Sequence, residues 1–69
     1  MAKAARVLAG LKRDGWIVTR QRGGSHTILR KNGRQITWSF HDGEELGNPA
    51  MAKVATECGY TLEELRKLV

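Results

Sequence analysis

The sequence predicts an α+β fold in which helices pack on one face of a three-stranded antiparallel sheet. Three observations carry this. Residues 34–40 alternate apolar and polar, Asn32-Gly33 separates two runs rich in β-branched residues, and apolar residues recur at helical spacing both before and after those runs. The resulting order, α-β-β-β-α-α, makes two layers around one core. With 69 residues the chain is expected to be one domain, residues 1–69, near the lower limit at which a hydrophobic core holds a fold alone.

Residues 2–14 form the expected first helix. Ala4, Val7, Leu8 and Leu11 share one face, and Gly15 is placed to stop it. Three strands follow, WIVTRQR, SHTILRK and RQITWSF. Gly23 and Gly24 turn the first into the second, and Asn32-Gly33 is the strongest hairpin signal in the chain. In the third strand Ile36, Trp38 and Phe40 share one face, and Gln35, Thr37 and Ser39 the other. The first two strands are less decisive, because Ile28 and Leu29 are adjacent and must point opposite ways. A second helix is expected after the loop HDGEELGN, residues 41–48, with Asn48 as its cap and Pro49 at its first position. Met51, Val54, Ala55 and Cys58 make its apolar stripe, which ends at Gly59. Thr61 and Glu64 form a capping box for a last helix through Leu62, Leu65 and Leu68.

Charge narrows the function. The formal net charge is +5 with a pI near 10, which points to a polyanionic partner. Residues 1–34 hold nine Lys and Arg and one acid, for +8; residues 35–69 hold three and six, for −3. The acidic second half argues against a purely basic RNA-coating peptide. One cysteine, Cys58, excludes an intrachain disulfide. Two histidines and scattered carboxylates show no ligand spacing, so no metal and no cofactor are expected. Lys3, Arg6, Lys12 and Arg13 interrupt the N-terminal apolar residues, so neither a signal peptide nor a membrane span is expected, and the expected compartment is the cytoplasm.

The chemistry concentrates in RGGSHTILR, residues 22–30. RNA cleavage without a metal uses the 2′-hydroxyl as internal nucleophile, and histidine, with an ordinary pKa of ~6.5, is the side chain suited to deprotonate it. His26 is therefore the candidate general base. Arg20, Arg22, Arg30 and Lys31 are candidates for binding the phosphate and stabilising its developing charge. Gly24 lets a phosphate approach the backbone, and Ser25 is placed to orient the imidazole or contact a phosphate. The bland alternative is a surface histidine after a hairpin turn. His41 stays open between a general acid for the leaving 5′-oxygen and a loop-shaping residue before Asp42-Gly43. Trp16 and Trp38 belong to the type that stacks on bases, but core packing is the stronger reading for both, and Cys58 reads as inert packing. Lys53, Arg66 and Lys67 read as solvated helix positions.

Several of these features occur together in a fixed order. A first helix ends in Asp14-Gly15-Trp16, and a basic strand carries Arg20-Gln21. Gly24-Ser25-His26 follows, then a third strand running to His41, then Glu44-Glu45-Leu46 before a helix that closes with CGYTLEEL at 58–65. As an ensemble they resemble the HicA family of toxin–antitoxin ribonucleases over nearly the whole chain. Ser39 departs from that family's usual proline, and GNPAM replaces its Gly-Thr-Leu-like helix start. The resemblance implies a fold similar to double-stranded-RNA-binding domains, metal-independent cleavage of mRNA by an endoribonuclease using His26, and a HicB-type antitoxin as partner. The cleavage product expected is a 2′,3′-cyclic phosphate. The rival readings are a non-catalytic RNA-binding module of similar fold, and an interaction protein whose basic helix meets an acidic partner.

Overall fold

Asn32 and Gly33 both take positive φ, 50° and 79°, as a two-residue type I′ turn demands, and this turn sets the register of the sheet. The computed structural model describes residues 2–22 and 26–69; for residues 20–22 and 26 the backbone alone is described. Its elements are β1 (Ala2–Lys3), α1 (Ala4–Arg13), β2 (Ile17–Arg22), β3 (His26–Lys31), β4 (Arg34–Trp38), β5 (Glu45–Leu46), α2 (Asn48–Cys58) and α3 (Leu62–Leu68). The larger sheet has the antiparallel order β2-β3-β4, and the α-β-β-β-α-α arrangement is the α+β fold that the sequence predicts.

Across β3 and β4, Leu29 stands opposite Ile36 and Thr27 opposite Trp38. Leu29, Ile36 and Trp38 are buried, so this face carries the helices and the other meets solvent. Phe40 lies beyond the end of β4 yet stays half-buried, meeting Trp38 edge-on at 5.1 Å. Ala4, Val7 and Leu11 of α1, Met51, Val54, Ala55 and Cys58 of α2, and Leu65 of α3 close one hydrophobic cluster against that face, together with Trp16 and Leu46.

The helix ends explain two departures from the sequence reading. The first helix begins at Ala4 rather than residue 2, because Ala2 and Lys3 are extended and pair antiparallel with Leu46 and Glu45. No side chain caps α1. Backbone carbonyls of the 42–44 loop do so instead, the Ala4 N–H donating to Glu44 at 2.8 Å and the Ala5 N–H to Asp42 at 3.2 Å. Asn48 is not the cap of α2: Gly47 occupies that position without a side-chain bond, and Pro49 is second in the helix. Asn48 is diverted sideways, its Oδ1 accepting from Arg66 Nη2 at 2.8 Å. The remaining signals act as read. Gly15 and Gly59 take φ of 105° and 82° at the ends of α1 and α2, and the Thr61–Glu64 capping box opens α3 with both reciprocal bonds made.

Candidate nucleic-acid interface

The sequence periodicity of β2 places Ile17, Thr19 and Gln21 on one face and Val18, Arg20 and Arg22 on the other. The observed register changes this. Ile17 pairs with Arg30 and Val18 with Leu29, but then Arg20 pairs with Ile28, Gln21 with Thr27 and Arg22 with His26. Thr19 is an extra residue, a bulge, and it reverses the parity of everything after it. Leu29 marks the helix-covered face, so positions 20, 22, 26, 28 and 30 fall on the open one. Three arginine positions and the first histidine position thereby share a single face. Arg22 stands directly opposite His26, and Arg30 lies two residues beyond Ile28 on the same face of β3, with an exposed side chain. Gly24 and Ser25 lie outside the described residues.

His41 follows the last residue of β4 by three positions. That last residue, Trp38, stands opposite Thr27, the residue after His26 in β3. The His41 N–H donates to Glu44 Oε1 at 3.3 Å, and its carbonyl accepts from the Glu44 N–H at 2.9 Å. The side chain of His41 is exposed. The loop-shaping contacts are thus made by its backbone, and they leave the imidazole in solvent.

Lys31 differs from the other cations. Its Nζ donates to Asp14 Oδ2 at 2.9 Å and lies 5.8 Å from the centroid of the Tyr60 ring. The Tyr60 hydroxyl also donates to Asp14, and Trp16 Nε1 donates to that hydroxyl at 3.0 Å. The Lys31 bond, then the Tyr60 bond, holds the Asp14 carboxyl below its usual range, and the Asp14 bond raises Lys31. Burial, with the Asp14 bond, raises Tyr60. Asp14 and Trp16, Lys31 and Tyr60 come from three separated segments, and sequence reasoning missed their meeting. The signal available was Asp14 itself, the single acid among nine cations in residues 1–34.

Other candidates resolve by burial. Trp16 and Trp38 are both buried, in keeping with their core reading. Cys58 is buried on α2, and burial, with Glu57 adding, pushes its thiol up to about 11. Arg34 Nη1 donates to the Glu57 carbonyl at 3.1 Å, tying β4 to the end of α2. Lys53, Arg66 and Lys67 are exposed on their helices. Among the described residues no three His, Cys, Asp or Glu side chains gather as a metal would require, and no helix is long and apolar enough to cross a membrane.

Fold and site define a small α+β domain whose sheet carries three arginine positions and one histidine position on its open face. The particular family follows from the chain itself. The model of the HicA toxin of bacterial toxin–antitoxin systems matches residues 4–60, from the start of α1 to Tyr60, and the chain belongs to that family. Membership implies an antitoxin partner. No curated protein and no solved structure matches the chain.

Proposed function

We propose that this toxin is an endoribonuclease that cleaves mRNA with His26 as general base. The observation that supports it best is the register that sets Arg22 opposite His26 and brings positions 20 and 30 to the same open face. In this reading the imidazole of His26 takes the proton of a 2′-hydroxyl. The 2′-oxygen then bonds to phosphorus as the bond to the 5′-oxygen breaks, leaving a 2′,3′-cyclic phosphate on one fragment and, once that oxygen gains a proton, a 5′-hydroxyl on the other. His41, exposed and three positions past the end of β4, is the accessory candidate to donate that proton.

Arg20, Arg22 and Arg30 offset the charge gathering on the pentacoordinate phosphorus. Gly24 and Ser25 enter from their place in the sequence beside His26, as backbone and hydroxyl contacts to the phosphate. Lys31 serves as a more distant phosphate contact whose charge is already shared with Asp14. No metal or cofactor enters the scheme. Residues 1–69 act in it as one domain, an architecture similar to double-stranded-RNA-binding domains, in the cytoplasm. A HicB-type antitoxin silences it by covering the basic face.

The test is a long mRNA incubated in EDTA with purified wild type and with His26→Ala. Cleavage to cyclic-phosphate ends by the wild type, and loss of at least about a hundredfold in the variant, is the expected result for a general base. Undiminished cleavage by His26→Ala removes the base from this residue. RNA that the wild type shifts in a gel but leaves intact makes the protein a binder and not a nuclease.

A further inference from the structure

We propose that the free edge of β2 takes an added strand, an extended acidic segment of the antitoxin, so that inhibition runs through backbone pairing beside the basic face. This rests on membership of a toxin–antitoxin family, not on the nuclease reading.

Among the described residues the larger sheet ends in two edge strands without a further strand beside them, β2 and β4, and they differ in character. The exposed residues of β4 are Arg34, Gln35 and Thr37, a polar edge that water satisfies. On β2 the first two residues are Ile17, 65 % exposed, and Val18, 41 % exposed, and among the described residues these are the large hydrophobic side chains left in solvent. They are neighbours in one strand, so the register sends them to opposite faces: Ile17 with Arg30 on the open face, Val18 with Leu29 on the helix side. A flat partner resting on either face covers one of them. A strand laid along the edge covers both, because its alternate side chains flank the sheet from each side while its backbone takes the unpaired N–H and C=O groups.

Charge selects among occupants. Arg20 and Arg22 lie on the same strand, Arg30 is exposed across from Ile17, and Lys12 is exposed near the end of α1. Residues 1–34 carry +8, so pairing β2 with β2 of a second copy sets like charge against like, whereas an acidic strand is drawn in. Room exists at the start of the edge. A notch of about 450 Å³, lined by Gly15, Ile17, Arg30, Lys31, Asn32 and Gly33, adjoins Ile17 and accepts a side chain of the incoming strand.

The experiment pairs amide hydrogen exchange on the toxin–antitoxin complex with affinity measured for Ile17→Glu and Ile17→Ala. Ile17 is two-thirds exposed, so neither change disturbs the core, and circular dichroism checks this. Expected are slowed exchange at the Ile17–Thr19 amides on complex formation and a loss of affinity of about tenfold or more for Ile17→Glu, with a smaller loss for Ile17→Ala. Unchanged affinity, or protection confined to other segments, overturns the proposal. Two further outcomes overturn it by naming another occupant: self-association of the free toxin that Ile17→Glu abolishes, or protection of the same amides by an RNA oligonucleotide. None of the antitoxin readouts uses RNA cleavage, so failure of the nuclease reading is seen separately.

Discussion

Trp16 Nε1 donates to the hydroxyl of Tyr60 at 3.0 Å, and that hydroxyl donates in turn to Asp14, which also holds Lys31. One polar chain thus joins the exit of α1, the entry of β2, the end of β3 and the segment after α2. Because the Asp14 carboxyl is held below its ordinary range, its contribution to stability is complete above about pH 4 and is lost as pH falls through the lowered value. Lys31, raised, contributes below about pH 10.4 and loses this as pH rises past its own value. Asp14→Asn is expected to melt below the wild type at neutral pH, with the gap closing as the wild-type carboxyl protonates. Thermal melts across the acid range check this. A gap that stays constant down to about pH 2 assigns the loss to the Tyr60 geometry instead of to charge.

Gly10 lies inside α1, where exchange of glycine for alanine ordinarily gains about 1 kcal/mol. Here a Cβ would collide with the backbone carbonyl of Leu68 in α3, the same carbonyl that accepts from Arg13 Nη2 at 2.6 Å. Backbone does not swing aside as a side-chain tip does. Gly10→Ala is therefore expected to cost about 1–3 kcal/mol, the range for overpacking, in urea unfolding. A more stable variant would mean that α3 shifts away from α1 freely.

Cys58 is buried, and its thiol is raised to about 11, so the thiolate is scarce at neutral pH. Iodoacetamide at about pH 8 is expected to leave the folded protein unlabelled and to modify it fully in denaturant. The folded pKa is raised, so the thiol's contribution to stability is present below about pH 8.5 and declines as pH climbs toward 11. Rapid labelling of the native state would contradict its packing role.

Local rules made most of this fold legible, and the misses share one cause. The Asn32-Gly33 turn, the Thr61–Glu64 box, the Gly59 stop and the Met51–Val54–Ala55–Cys58 stripe each depend on residues within a few positions of one another. Asn48 failed as a cap because Arg66, eighteen residues away, claims its side chain. The start of α1 depends on Glu44 and Asp42, some forty residues later. Within the candidate site, the types of residue were readable but their common face was not. Strict alternation along β2 separates Arg20 and Arg22 from the open face, and only the pairing with β3 discloses the bulge at Thr19. The difficulty of Ile28 beside Leu29 was the visible trace of an open face that is partly apolar.

Trp38 tests how the core supports that site. It stands opposite Thr27, the residue after His26 in β3, and packs edge-on against Phe40. Its Nε1 is buried and, among the described residues, has no hydrogen-bond partner. An unpaired buried donor costs about 1–3 kcal/mol, so removing it offsets the loss of indole area. Trp38→Phe keeps an aromatic ring against Phe40 and is expected to stay within about 1 kcal/mol of the wild type, whereas Trp38→Ala leaves a cavity costing about 3–5 kcal/mol. The two variants then separate packing from polarity at the floor of the site. If the phenylalanine variant is as unstable as the alanine one, the indole N–H has a partner that stability depends on. If it is not, the ring alone holds Thr27, and with it the strand that carries His26, against the core.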